Sequence, residues 1–308
     1  MTAILDLGTN TFHLLIARVE TDGSLTTVFR ERRFVKIAAE GIETIGDASF
    51  ARGIETLIHF RKKLEEYNVT RFRAFGTAAL RTASNGSAFL AAAKREADID
   101  IELISGDEEA RLITAGVLHA LPPLRERILI MDIGGGSTEF ILADAVGVQW
   151  QRSFPVGMST LTKAFHHSDP ISPAEVAALD AHLVARLQPL RRALIEFPCD
   201  HLVGSAGAFE ILLLESLGIA LPSARETSVP LSIPDLLRFG ERIIGSTLAE
   251  RLALPEIPAE RADMIVVAML LIRHAVGIVG AERVTFSGYA LKEGGVLILD
   301  SRFSIGDS

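Results

Sequence analysis

Asp6-Leu7-Gly8-Thr9-Asn10-Thr11 and Asp132-Ile133-Gly134-Gly135-Gly136-Ser137 are two copies of one short pattern, 126 positions apart (6 to 132). Gly8/Gly134 and Thr11/Ser137 keep that offset. Each copy follows an apolar run (Ala3-Ile4-Leu5; Ile128-Leu129-Ile130-Met131) and precedes another (12–17; 140–143), so each reads as strand, tight turn, strand. The turn offers small residues that let backbone N–H groups approach an anion, hydroxyls for its oxygens, and an Asp that can hold a hard cation. A single glycine turn between strands is more often a plain hairpin. Two copies with the same Asp-x-Gly-x-x-Ser/Thr order point further: facing each other, they would clamp a phosphate chain between two related lobes. Neither copy is a Walker P-loop, because Gly-Lys-Ser/Thr is missing. Neither is a dinucleotide fingerprint, because Thr138-Glu139-Phe140-Ile141 reads as strand rather than helix.

The 308 residues suffice for two medium domains, and 48% hydrophobic content is that of a soluble globular protein. A formal net charge of −8, from 31 basic and 39 acidic residues, weighs against a protein that tracks nucleic acid. A phosphorylated substrate then calls for bound cations or a few local Arg or Lys. Cys199 is the one cysteine, so no intramolecular disulfide forms and a reducing cytoplasm is the expected home. The N-terminus enters its first strand at once, without a signal-peptide pattern, so secretion is not expected. The apolar run 264–280 is broken by Arg273-His274 and is short for a membrane span, which makes it a buried core helix.

Pattern and punctuation place strands at 3–7, 11–20 and 25–35, a helix at 50–67, a strand at 71–75, a helix at 89–97 and a strand at 101–104. Ser105 and Glu108 stand at capping-box spacing, predicting a helix to about residue 120, and Pro122-Pro123 ends it. The expected lobes are therefore 1–122 and 123–290, with a C-terminal helix in 291–308 that could join the first. In the second lobe, Ser172-Pro173-Ala174-Glu175 starts a helix to about 197, with Pro189 as a candidate kink. A strand at 201–203 meets Gly204-Ser205-Ala206-Gly207, followed by helices at 208–217, 233–252 and 259–279, a strand at 283–286 and a helix at 290–299. The opening hairpins argue for mixed sheets in an α/β fold.

Four stretches together resemble a known group: Asp6-Leu7-Gly8-Thr9-Asn10-Thr11-Phe12-His13, Gly76-Thr77-Ala78-Ala79-Leu80-Arg81, Ser105-Gly106-Asp107-Glu108-Glu109-Ala110-Arg111 and Asp132-Ile133-Gly134-Gly135-Gly136-Ser137-Thr138-Glu139. Pro155-Val156-Gly157 and Ser287-Gly288 add support. The chain resembles the two-lobed phosphotransfer superfamily of actin, sugar kinases and heat-shock chaperone ATPases. Within it, the chain is more similar to the exopolyphosphatase/guanosine pentaphosphate phosphatase family. The resemblance implies two actin-like (ribonuclease H-like) lobes with an active cleft between them.

It also implies site residues. Glu109, just before Ala-Arg, takes the place of the family's catalytic glutamate; without the resemblance it reads as an ordinary first-turn carboxylate. Glu139 stands beside the phosphate loop, helping to hold metal or water, where a solvent-facing strand carboxylate is the alternative. Asp6 and Asp132 would carry Mg²⁺, directly or through water, with structural turn capping as the alternative; Mn²⁺ suits the same oxygens. Gly8, Thr9, Asn10, Thr11, Gly134, Gly135, Gly136, Ser137 and Thr138 form the phosphate-binding turns, and Arg81 offers a bidentate fork to phosphate. Arg111 reads instead as an in-helix partner of Asp107, Arg33 and Lys36 as a solvated strand face, and His166-His167 as a loop pair.

The expected reaction is Mg²⁺-dependent hydrolysis of a terminal phosphoanhydride. Inorganic polyphosphate is the first substrate and guanosine pentaphosphate the second, with neither nucleic acid nor membrane as partner. Longer family members carry extra C-terminal helical domains that this sequence lacks, so any long chain-binding channel would need a second subunit, as in a homodimer. Val35-Lys36-Ile37-Ala38-Ala39-Glu40-Gly41 lacks the family's Leu-Gly step. The rivals are a kinase, for which no acceptor pocket or acid/base Asp is identified, and a non-catalytic nucleotide or alarmone sensor.

Overall fold

The strands that carry both glycine turns are apolar at nearly every position, as strands covered on both faces must be. In the computed structural model, β1 (Thr2–Leu7) and β6 (Ile128–Ile133) are buried almost throughout. The structure describes residues 1–217 and 227–300. Contacts divide the chain into Met1–His119 with Tyr289–Ser308, and Ala120–Gly288.

In the first unit, β1, β2 (Thr11–Val19) and β3 (Leu25–Phe34) form an antiparallel meander. Helix α1 (Asp47–Glu66) leads to β4 (Phe72–Gly76), then come α2 (Ala78–Thr82), α3 (Gly86–Ala97), β5 (Ile101–Leu103) and α4 (Gly106–Ala120). Strands β4 and β5 add in parallel beside β1, giving the order β3-β2-β1-β4-β5.

The second unit repeats the plan. Strands β6, β7 (Thr138–Asp144) and β8 (Gly147–Phe154) form the meander. Then follow α5 (Met158–Phe165), α6 (Pro173–Arg186), α7 (Gln188–Glu196), β9 (His201–Ser205) and α8 (Ala206–Leu217). After the undescribed residues come β10 (Ser228–Leu231), α9 (Ile233–Ile244), α10 (Leu248–Leu252), α11 (Ile265–Val279) and β11 (Arg283–Ser287). The sheet order is β10-β11-β9-β6-β7-β8, which is the first sheet's order with one antiparallel edge strand added. The duplicated motif thus belongs to a duplicated sheet, and the fold is the expected α/β arrangement of two mixed sheets flanked by helices.

Three predicted helices are broken. The one expected over 172–197 stops at Arg186 and restarts at Gln188, because Pro189 has no N–H to continue the ladder and sits in the first turn of α7. The one expected over 233–252 is two helices: Gly245 ends α9, and a Thr247/Glu250 capping box starts α10. The one expected over 259–279 begins as a 3₁₀ turn (Ala259–Arg261), and α11 starts at Ile265. Helix α11 is buried over most of its length, and none of the described helices is long and apolar enough to cross a membrane. The last described helix, α12 (Leu291–Leu299), packs in the first unit against β1 and β2. It also meets α4 backbone to backbone: a β-carbon on Gly294 would lie 1.8 Å from Leu112 O, and one on Gly116 2.1 Å from Ala290 O. Residues 301–308 of the expected C-terminal helix lie outside the described residues.

Candidate active site

The two glycine turns close in the same way. Gly8 N–H donates to Thr11 O at 3.1 Å, and Gly134 N–H to Ser137 O at 2.9 Å. Asp6, one residue before the end of β1, stands opposite His13 of β2, and Asp132, one residue before the end of β6, opposite Glu139 of β7. His13 and Glu139 are also 126 positions apart, so they occupy equivalent places in the two sheets. Paired residues of neighbouring strands share a face. One face therefore carries Asp6, His13 and Arg32 in the first unit, and Ser205, Asp132, Glu139 and Ser153 in the second.

The second row is a buried carboxylate pair. Asp132 is 8% exposed and accepts from Ser205 Oγ at 2.6 Å. Glu139 is 1% exposed and accepts from Ser153 Oγ at 2.7 Å. Each serine anchors one carboxylate oxygen, which fixes the orientation of the group. Ser205 sits where Gly204-Ser205-Ala206-Gly207 joins β9 to α8. Ser153 carries no local signal in the sequence, while Ser205 stands in a glycine turn that reads as facing the nucleotide or phosphate chain; each reaches its carboxylate through strand pairing. His13 was legible in principle, since the 126-residue offset applied to Glu139 lands on it.

Behind each turn the chain supplies a backbone clamp. In the second unit, the N–H groups of Gly157, Met158 and Ser159 donate to the carbonyls of Gly136, Gly134 and Gly135 at 3.3, 2.9 and 2.8 Å. Thr160 Oγ1 adds a bond to Gly136 O at 3.2 Å. With its carbonyls so committed, the turn has amide donors and the Ser137 hydroxyl to offer an anion. In the first unit the clamp follows β3: Val35 and Lys36 N–H donate to Asn10 O at 3.0 and 2.9 Å, and Ile37 N–H to Thr9 O at 2.8 Å.

Thr138 is fully buried in β7 and donates its hydroxyl to Val156 O at 3.0 Å, a position that supports the turn from within the sheet. Arg81 lies at the end of α2 and donates to Ile104 O, just ahead of α4. Glu109 is in the first turn of α4 and 8% exposed. Glu108 N–H is capped by Ser105 Oγ at 3.1 Å, while the Glu108 carboxylate is gripped by Arg111 at 2.7 and 2.8 Å. That bond holds the Glu108 carboxyl below the usual carboxylate range. Arg111 thus pairs with Glu108, three residues back, a contact that the expected Asp107 pairing did not include. Lys36 is not on a strand face but in the turn beyond β3.

Among the described residues no group of three His, Cys, Asp or Glu side chains forms a metal cage. The donor chemistry nevertheless fits Mg²⁺, which binds through one or two carboxylates and keeps its other positions for water and phosphate oxygens.

A duplicated mixed sheet with an Asp–glycine turn at corresponding strand ends defines an actin-like phosphate-handling protein. The Ppx/GppA phosphatase family model matches residues 15–302, and the chain belongs to that family. A crystal structure of an exopolyphosphatase from Cytophaga hutchinsonii is 35% identical, with 99% of each chain covered and a TM-score of 0.93. The Ppx/GppA family member of Aquifex aeolicus, at 24% identity and TM-score 0.81, covers 98% of this chain and 99% of its own, and shares the fold. A guanosine-5'-triphosphate,3'-diphosphate pyrophosphatase of Aliivibrio fischeri is 29% identical over 96% of this chain, which spans 58% of that relative's length.

Proposed function

We propose that this protein releases orthophosphate from the end of inorganic polyphosphate by divalent-metal-dependent hydrolysis. The observation that carries the reading is the oriented, buried pair Asp132 and Glu139 at the foot of a glycine turn whose carbonyls are tied down. The turns of both units, Gly8–Thr11 and Gly134–Ser137, receive phosphate oxygens in this reading. Terminal phosphoanhydride cleavage needs a water in line with phosphorus, a base for its proton, and donors for the equatorial oxygens. Glu109 is the base: it takes the proton as the water oxygen bonds to phosphorus, and the anhydride P–O bond breaks to release the shortened chain. Asp132 and Glu139 are the carboxylates that would hold Mg²⁺, which when bound would neutralise charge on the phosphate oxygens. Ser205 and Ser153 hold those carboxylates in place.

The name of the Aliivibrio fischeri relative supports guanosine pentaphosphate as the second substrate, with the same terminal chemistry. The name of the Cytophaga hutchinsonii relative, matched over 99% of both chains, supports polyphosphate as the first substrate in this reading.

The test is orthophosphate release with Mg²⁺ from short polyphosphate, long polyphosphate, guanosine pentaphosphate and ATP, by wild type and Glu109→Gln. Loss of a general base costs about 10²–10⁴-fold. Release that survives in the variant moves the base elsewhere, with Glu139 next to be tried. No release from any substrate refutes the hydrolase and leaves a ligand sensor.

A further inference from the structure

Glu293 is fully buried in the first turn of α12, and the proposed chemistry does not use it. A buried carboxylate is costly unless it is paired and hydrogen-bonded. Both oxygens of Glu293 are engaged. Oε2 accepts from Ala290 N–H at 2.9 Å, which closes the start of α12. Oε1 accepts from Arg30 Nη2 at 3.0 Å and meets Lys292 Nζ at 3.3 Å. Capping alone does not require burial: the exposed Glu250 receives the Thr247 N–H at the start of α10. Glu293 does more, tying the first turn of α12 to β3, the strand that carries Arg30.

The residue that Glu293 caps is the one that meets α4. A β-carbon on Gly116 would lie 2.1 Å from Ala290 O, and one on Gly294 1.8 Å from Leu112 O, so backbone touches backbone at both points. Leu112 and Gly116 lie on one side of α4. Glu109 precedes them by three and seven residues, which places it on that same side, one turn before Leu112. Residues of one helix keep a fixed spacing along its axis, so whatever sets the place of residues 112 and 116 sets the place of Glu109. We infer that Glu293 is a positioning residue for Glu109: it fixes the start of α12, and the glycine crossing passes that placement to α4. The inference rests on the reading of Glu109 as the base.

The test measures hydrolysis of linear tripolyphosphate with Mg²⁺, and amide hydrogen exchange, in wild type, Glu293→Gln, Glu109→Gln and the double variant. Glutamine keeps the volume and one acceptor oxygen but removes the charge that Arg30 and Lys292 meet. Misplacing a reacting group by about 1 Å costs on the order of 10²-fold, so Glu293→Gln should lower kcat by about 10- to 100-fold with KM nearly unchanged. In the Glu109→Gln background the same change should cost nothing further, because the group it positions is already gone. The amides of α4 should exchange faster in Glu293→Gln, while those of α6 in the second unit keep the wild-type rate. A merely structural glutamate predicts the same fractional loss with and without Glu109. Arg30→Gln changes a partly exposed side chain, breaks the same tie from β3, and takes the same readings if Glu293→Gln does not fold. Full kcat in Glu293→Gln, a loss that multiplies with that of Glu109→Gln, or unchanged exchange in α4 overturns the inference. Full release by Glu109→Gln also overturns it and leaves the hydrolase with another base. If wild type releases no orthophosphate, the hydrolase fails, and exchange in α4 still judges whether Glu293 holds that helix.

Discussion

Gly157→Ala is the sharpest perturbation of the second turn, because it adds a single carbon where there is only backbone to meet it. That carbon would lie 2.5 Å from the carbonyl carbon and oxygen of Gly135 and from the carbonyl carbon of Gly136. Comfortable carbon contacts are about 3.5–4.0 Å, so the turn and the start of α5 must separate by about 1 Å. Overpacking of this kind costs about 1–3 kcal/mol. The separation also stretches the bonds from Met158 and Ser159 to the turn, now 2.9 and 2.8 Å, each contributing about 1 kcal/mol. The expected destabilisation is about 2–4 kcal/mol in chemical denaturation. Misplacing reacting groups by about 1 Å costs on the order of 10²-fold in rate, so orthophosphate release should fall by about that factor in protein that is still folded. Gly277→Ala serves as the control. It is exposed within α11, a β-carbon there meets nothing within 4 Å, and alanine should stabilise the helix by up to about 1 kcal/mol. A Gly157→Ala protein with wild-type stability and wild-type release would refute the clamp as the device that holds the turn.

Gly294→Ala should lower stability by at least about 3 kcal/mol, a Tm decrease of about 6–12 °C, because its β-carbon would sit 1.8 Å from Leu112 O with backbone on both sides; a Tm within a degree of wild type contradicts the crossing. Burial pushes the Cys199 thiol from 9.0 up to about 11, so at pH 8 its thiolate fraction falls about 100-fold and alkylation of the folded protein should be slower by at least that factor than after denaturation. Burial also depresses His119, His166, His182, His201 and His274 from 6.5, which favours their neutral forms in the folded state. Their stabilising contribution is therefore full above pH 6.5 and is lost as pH falls through the lower folded values. Tm measured from pH 7.5 down to 5.5 should decrease, and a flat or rising profile excludes this histidine effect.

Local signals carried much of the fold. The hairpins at both glycine turns were readable because apolar runs flank a turn too tight for anything but small residues. The start of α6 was readable because Ser172 and Glu175 satisfy each other's backbone, and the structure contains that capping box. The break at Leu187 was visible only as a candidate kink, since a proline can either bend a helix or end it, and packing decides. Strand β10 was invisible: four residues including Pro230 have little strand character alone and pair only because β11 offers an edge. The candidate site divides in the same way. Asp6, Asp132, Glu139 and the turn residues stand in local motifs. Ser153 and Ser205 are 14 and 73 residues from the carboxylates they orient, and the clamps at 35–37 and 157–160 act through main-chain atoms that residue identity does not advertise.

The glycine crossing of α4 with α12 has a consequence for the order in which the molecule is made. The second unit is contiguous, Ala120–Gly288, so every residue it needs is translated before α12. The first unit is not contiguous: its sheet and α4 are made early, but Leu112 and Gly116 can meet Ala290 and Gly294 only after the whole second unit has been translated. Helix α4, with Glu109 in its first turn, therefore waits for its partner through the translation of some 170 residues, about 10–30 s at 5–20 residues per second. Of the two units, the one started first is the one completed last.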